Sequence, residues 1–385
     1  MTQNTAIICE TNPFHRGHKY LFDQVQQLQQ QSQHHGICIA IMSGSFVQRG
    51  IPAVLDKYTR AAVLLQNGAD LVVELPYPWC VAGGEAFAAG GVAVASGLLA
   101  DVLSFGSESG DLLLLQSCAT LLEGVEYAEK MRMWEREEPG IGAAVLHERL
   151  LEAHGIALSP NDKLAVWYLR QIMAQHSGLM PQAIHRTPHT DTVISATRIR
   201  QLLQAGADIT PYVPESAAAF YKTETFTDTK RFYDIAWLYF RQFATDAVLQ
   251  GDKSGLTRRL QKVAQDSESG EDFFQKAATK KYTDARVRRT ALLAMTDTPS
   301  PDTIGLPRYT IVLGMNERGQ AYLHTLRKTA DIAILTKPTH EQKLPPDAKV
   351  QYQWQKRADR LYTLCHTPVE AGNTYLRRSP IMLHP

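Results

Sequence analysis

Residues 6–18, Ala6-Ile7-Ile8-Cys9-Glu10-Thr11-Asn12-Pro13-Phe14-His15-Arg16-Gly17-His18, decide the fold. Ala6 to Cys9 read as a buried strand. Asn12-Pro13 marks a turn, and from Lys19 the apolar residues Leu21, Val25 and Leu28 recur at helical spacing. Two imidazoles and a glycine therefore stand where a strand hands the chain to a helix. Unpaired N–H groups and the positive end of the helix dipole make that junction an anion site. Histidine donors strengthen as charge builds on a phosphate in flight, and Gly17 lets backbone approach it with no Cβ in the way. The first reading is an enzyme that handles a nucleotide.

Outward from this stretch, strands alternate with helices. Further strands are expected at 37–42, 70–74 and 101–105, with helices at 18–34, 56–67, 84–97 and 110–129 between and after them. Asp56 is placed to cap the second helix, whose stripe is Tyr58, Ala61, Ala62 and Leu65. Near-continuous apolar strands in this arrangement predict an α/β fold with a parallel, Rossmann-like sheet covered on both faces. Ligands bind such sheets at the carboxyl ends of the strands. The histidine loop, the turn Ser43-Gly44-Ser45 and Phe105-Gly106-Ser107-Glu108 are expected to gather at that edge. Arg49, between Gly44 and Gly50, reads either as a fixed cation for a small anion or as a charged surface loop. Lys57 and Arg60 read as the solvated or phosphate-steering face of the next helix.

Helices follow around 142–153 and 161–176, then a short segment Ala183-Ile184-His185-Arg186. The stretch Ile194-Ser195-Ala196-Thr197-Arg198-Ile199-Arg200 opens a helix that runs to Gly206. Beyond Pro211 and Pro214 the pattern changes: 230–250 and 254–295 look helical, and strands at 309–313 and 332–335 flank a helix at 317–328. The expected division is 1–210, a nucleotide-binding domain, and 211–385, a second, helix-rich mixed α/β domain.

Composition bounds the function. At 385 residues, with 44% hydrophobic and 21% charged residues, the chain suits two domains with a sizeable core. No apolar run approaches bilayer length, and the first segment is a strand rather than a charged-then-apolar leader, so no membrane is an expected partner. Five cysteines, an odd number without CxxC spacing, suit reduced thiols in a cytoplasm. The net charge of +1 excludes a global pull toward nucleic acid and gives no reason to expect DNA. Locally the balance differs: Lys276, Lys280, Lys281, Arg286, Arg288 and Arg289 surround Tyr282 with one acid, Asp284, among them. Such a cluster is either a solvated helix face or a surface for phosphates, with the ring free to stack on a splayed base. Metal ligation is poorly signalled, since adjacent His34 and His35 face different ways on a helix.

Ser195 and Thr197 at a helix start either cap it or donate to phosphate oxygens, and Arg200 reaches toward the same anion. With HxGH far upstream, this pair of signals resembles the two signatures of the nucleotidyltransferase superfamily, HxGH and ISxTxxR. Within it the chain is similar to the tRNA(Met) cytidine acetate ligases. The carrying residues are Glu10 to His18, Met42 to Gly50, Asp70 to Pro76, Phe105 to Glu108, Pro160-Asn161-Asp162, Ile194 to Arg200, Lys281-Tyr282-Thr283 and Arg286 to Arg289.

That resemblance implies an enzyme that makes acetyl-adenylate from ATP and acetate and then acetylates the wobble cytidine of elongator tRNA(Met). It implies catalytic roles for His15, His18, Ser195, Thr197 and Arg200, the histidines on the phosphates and the other three on the leaving β- and γ-phosphates. ATP is implied to lie along Ile7, Ile8, Cys9, Glu10, Thr11, Asn12, Pro13, Phe14, His15, Arg16, Gly17, His18, Lys19 and Tyr20, bordered by Gly106, Asn161 and Arg186. Lys280, Lys281, Tyr282, Arg286, Arg288 and Arg289 are implied to meet tRNA. Mg²⁺ is expected to arrive on the ATP phosphates rather than in a protein cage. Two rivals stand beside this reading: a small-molecule adenylyltransferase, and a tRNA-binding protein with a regulatory nucleotide site.

Overall fold

A computed structural model describes residues 3–31, 36–137, 143–186, 194–223, 226–245 and 254–384. Its strands are β1 (Thr5–Cys9), β2 (Cys38–Ser43), β3 (Phe46–Val47), β4 (Ile51–Pro52), β5 (Leu71–Leu75), β6 (Val102–Ser107), β7 (Met180–His185), β8 (Tyr309–Met315), β9 (Ala333–Leu335) and β10 (Ile381–Met382). Eight of them make one sheet in the order β10-β8-β5-β2-β1-β6-β7, with β9 also on β8. From β5 to β7 all neighbours run parallel. β2 and β5 are buried at every position, as the unbroken apolar runs predict for strands covered on both faces. β3 and β4 form a separate small hairpin.

The chain lays β2 and β5 to one side of β1, then returns to lay β6 and β7 on the other. The crevice beside β1 is thus the point where strand order reverses, the position at which α/β sheets bind ligands. The histidine loop leaves β1 at that crevice.

Several expectations need correction. The strands read at 309–313 and 332–335 are present, with the helix Glu317–Leu326 between them, but they join the first half's sheet: β8 pairs antiparallel with β5, and β9 and β10 pair with β8. The helix read at 110–129 is two, Leu112–Glu123 and Val125–Glu137, because Gly124 takes an extended conformation between them. The stretch 254–295 is three helices, Leu256–Gln265, Gly270–Ala277 and Asp284–Met295, the second capped by Ser269. In 230–250 the helix Thr229–Leu238 runs into a π-helical turn at Tyr239–Phe243; the rest of that stretch from 246, like His34 and His35, lies outside the described residues. A long helix, Pro346–Thr363, adds to the elements expected from the sequence pattern. All five cysteines are free and buried. Among the described residues no helix is long and apolar enough to cross a membrane.

Candidate active site

At the end of β1 the chain turns through Thr11, whose φ of 45° lies in the left-handed region and whose hydroxyl donates to Met42 Sδ. The loop is pinned from three sides. Val54 N–H donates to Asn12 Oδ1 at 2.7 Å, Tyr221 Oη donates to the Phe14 carbonyl at 2.9 Å, and Arg16 Nε donates to the Pro211 carbonyl at 2.8 Å. The helix Arg16–Gln31 starts here. Such rigidity matters because catalytic donors work by being placed in advance.

His15 and His18 sit with ring centroids 3.9 Å apart. His18 Nδ1 accepts from the His15 N–H at 3.3 Å, and His15 Nδ1 accepts from the Gly17 N–H at 3.0 Å. An imidazole that accepts through Nδ1 while neutral carries its proton on Nε2. Each histidine is therefore set as an Nε2 donor. Burial, then the proximity of His15 and Arg186, holds the His18 pKa well below the usual histidine value. His18 is thus neutral and donating at pH 7, a state suited to phosphate oxygens. Phe14 stacks on His18 at 5.6 Å and fixes its plane.

Ser195 caps the helix Ala196–Gln204, accepting from the Arg198 N–H at 3.3 Å, which leaves its hydroxyl hydrogen for another acceptor. One turn on, Arg200 Nη1 donates to the Asn12 carbonyl at 2.6 Å and Nη2 donates to Thr197 Oγ1 at 3.1 Å. The two signatures, far apart in sequence, thus meet at one loop. Asn12 Nδ2 is buried and has no hydrogen-bond partner among the described residues, a donor free to meet an acceptor beside the histidines.

On the other flank, Arg186 follows β7, and its N–H donates to the Ser107 carbonyl at 2.9 Å. Gly106 leaves room for it: a Cβ there would stand 3.2 Å from Arg186 Cγ. Asn161, in the first turn of the helix Pro160–Ala174, donates to Glu108, and Ser159 Oγ donates to the same carboxylate at 2.5 Å. The Arg186 charge acts on His18, so this flank faces the histidine loop. Gly106, Asn161, Arg186 and the HxGH loop are brought to one edge.

Other members of the expected set take different places. Ile7 and Cys9 are buried core of β1, and Ile8 packs against the core beside Gly91, so these three serve chiefly to deliver Glu10 to the edge. Lys19 pairs with Asp23 one turn along the helix, and Tyr20 lies exposed. Lys57 and Arg60 are not a solvated face; they are 1% and 2% exposed. Arg60 donates to the carbonyls of Glu10 and Ser43, each at 2.9 Å, and to that of Gly44, clamping β1 to β2. Lys57 Nζ lies 2.8 Å from both Glu74 and Asp359. The cue for both was position: beside the Asp56 cap they flank Tyr58, on the stripe that packs inward.

The basic cluster divides. Lys280 and Lys281 are exposed and Arg286 is half-buried. Tyr282 is buried, its hydroxyl donating to the Ser254 carbonyl at 2.7 Å, with Lys281 Nζ 5.3 Å and Arg286 Cζ 5.2 Å from the ring centroid. The expected stacking ring is instead a post that carries two cations. Arg288 Nε donates to the Arg49 carbonyl at 3.1 Å and Arg289 Nη1 to the Gln48 carbonyl at 3.2 Å, so these arginines hold the β3–β4 turn. Burial and repulsion from Arg286 and Arg288 lower the Arg289 pKa. Among the described residues, no group of three or more His, Cys, Asp or Glu is arranged to hold a metal ion.

A Rossmann-like sheet with an HxGH pair and an Arg200 clasp at its switch point defines a nucleotidyltransferase, and residues 2–375 match the family described as HIGH Nucleotidyl Transferase. Among curated proteins, the chain is 32% identical to the tRNA(Met) cytidine acetate ligase of Anoxybacillus flavithermus, over 93% of each chain. It is also 32% identical to that of Streptococcus uberis, over 98% of each. Among solved structures, Thermotoga maritima TmcAL bound with alpha-thio ATP superposes with a TM-score of 0.89, at 26% identity over the whole of both chains. The chain belongs to the tRNA(Met) cytidine acetate ligase family.

Proposed function

We propose that this protein is an ATP-dependent ligase that activates acetate as acetyl-adenylate and transfers the acetyl group to the wobble cytidine of elongator tRNA(Met). The observation that carries the reading is the Arg200–Asn12 bond, which joins the ISxTxxR-like helix start to the HxGH loop in a chain that matches tRNA(Met) cytidine acetate ligases nearly end to end. ATP lies over the crevice beside β1, its phosphates on the Nε2–H groups of His15 and His18 and on the N-terminus of the Arg16–Gln31 helix. Ser195, Thr197 and Arg200 take the β- and γ-phosphates, and Gly106, Asn161 and Arg186 border the adenosine and the phosphates.

An acetate oxygen attacks the α-phosphorus, and the bond to the β-phosphate oxygen breaks with its electrons leaving on pyrophosphate. No protein nucleophile is required; positioning and charge stabilisation supply the rate. Arg49, exposed at the β3–β4 turn, is placed to steer acetate. Mg²⁺ arrives on the triphosphate rather than in a protein cage.

Within the second half of the chain, the helices between Thr229 and Met295 face the tRNA, with Lys280, Lys281 and Arg286 on its phosphates. The work is cytoplasmic, as the free buried thiols suit. Incubation with elongator tRNA(Met), ATP and labelled acetate, followed by mass spectrometry of the nucleosides, should place label on cytidine. Acetate-dependent exchange of pyrophosphate into ATP without tRNA separates the rivals. A small-molecule adenylyltransferase needs its own substrate for exchange, and a regulatory tRNA binder shows none.

A further inference from the structure

Glu10 stands at the carboxyl end of β1, five residues ahead of His15. Its Oε1 accepts from the Gln48 N–H at 2.5 Å. The same Gln48 offers its carbonyl to Arg289 on the basic helix, and the neighbouring Arg49 carbonyl accepts from Arg288. Gly50, at φ 70°, makes this approach possible, since a Cβ there would lie 2.6 Å from Arg289 N. One residue, Gln48, thus links a carboxylate of the nucleotide site to the helix expected to carry tRNA.

The other carboxylates at this edge are committed. Glu74 is ion-paired with Lys57 and accepts from Gln355 at 2.9 Å. Asp162 accepts from Ser107 Oγ and from the N–H groups of Glu108 and Ser109. Glu108 is held by Ser159 and Asn161. Among the described residues, Glu10 is engaged through Oε1 and the Gln48 N–H, which leaves Oε2 as a proton-accepting oxygen.

We infer that Glu10 is a catalytic residue of the transfer step, the proton acceptor for the exocyclic amine of the cytidine, on the reading that the protein acetylates a tRNA cytidine. The amine nitrogen attacks the carbonyl carbon of acetyl-adenylate and a C–N bond forms. The bond from that carbon to the phosphate oxygen breaks, and its electron pair leaves on AMP. The amine proton passes to Glu10 Oε2 and then to water.

Burial raises the proton affinity of Glu10 against the pull of the Gln48 N–H and of Arg200, Arg49 and Arg60; Cys9, Cys80 and Tyr168 also face it. A carboxylate so placed is a stronger base near neutrality than an exposed one.

The test supplies ready-made acetyl-adenylate and tRNA(Met) and follows single-turnover transfer across pH. Wild type should climb with pH through one inflection above the ordinary glutamate range. Glu10→Gln, with a melting temperature close to wild type, should transfer on the order of 100-fold slower or worse and lose the inflection. Glu10→Asp, a shorter base in the same place, should be slowed yet keep it, and decides the matter should Glu10→Gln fold poorly. Transfer by Glu10→Gln within about threefold of wild type, or an inflection that survives in it, overturns the inference. The parent reading fails separately, if wild type forms no acetyl-adenylate from ATP and acetate.

Discussion

Arg200 reaches from the first turns of the helix Ala196–Gln204 to the carbonyl of Asn12, across 188 positions of sequence, with its second terminal nitrogen on Thr197. The planar guanidinium serves two acceptors at fixed angles while its burial and the Arg49 charge lower its pKa. A partly desolvated cation is a strong partner for a pyrophosphate that gains charge as it leaves. Arg200→Ala should slow acetate-dependent pyrophosphate exchange by on the order of 100- to 1000-fold. Arg200→Lys, a point charge without the fork, should recover little of it. Full exchange in the lysine variant would show that charge alone suffices and that the two-pronged geometry is incidental.

His18→Ala removes one placed donor and should cost a comparable factor in adenylate formation while leaving tRNA affinity near wild type. In wild type, the depressed His18 pKa keeps the ring neutral as pH falls through the usual histidine range. Adenylate formation should accordingly stay level on descending through pH of about 6.5, the ordinary histidine value. A drop centred there would mean that His18 titrates as a solvated histidine.

The sheet and the two signatures were legible because strands buried on both faces leave apolar runs and because HxGH falls where one of them ends. What the sequence hid depends on contacts between distant residues. The helix Pro346–Thr363 buries Gln351, Gln355 and Asp359 on the same face as Tyr352 and Tyr362, so its apolar period is broken by the residues that meet the backbone at Leu306 and Arg308, Glu74 and Lys57. Tyr282 and Arg289 looked like free ligands for RNA. Their partners, Ser254 and Gln48, are 28 and 241 positions away, and no local pattern announces them.

Lys281 and Arg286 carry their charges over the buried Tyr282 ring, the lysine exposed and the arginine half-buried. The double change Lys281→Ala with Arg286→Ala should leave exchange intact and weaken tRNA binding. The slope of log affinity against log salt should become shallower by roughly 1.5 to 2, the release of about two counterions. An unchanged slope would remove these residues from the tRNA surface.

His147 lies beneath the Tyr127 and Trp167 rings, bonded through Nε2 to the Tyr127 hydroxyl, and burial followed by the Arg170 charge brings its pKa down to about 4. As pH falls below the ordinary histidine value the unfolded chain takes the proton first, so folding loses stability from about 6.5 down to about 4. The loss is on the order of 2 kcal/mol after allowance for partial exposure. His147→Gln, which cannot take the proton, should lose less melting temperature than wild type over that window. Parallel curves for the two proteins would rule the contribution out.

Lys57 stands between Glu74 and Asp359, with Ser45 Oγ donating to Asp359 at 2.6 Å and Gln355 bridging the two acids. Burial raises the Glu74 pKa to about 7 even with the lysine present. Lys57→Met strands two carboxylates in a dry site and should cost about 3–5 kcal/mol by urea unfolding. Glu74, its folded pKa raised further without the lysine, binds a proton more readily folded than unfolded, so the variant gains stability as pH falls. Its deficit relative to wild type should therefore shrink between about pH 8 and about pH 5.5. A deficit that holds or grows on acidification would mean that the acids are not stranded by the loss of Lys57, and that the cost lies in packing alone.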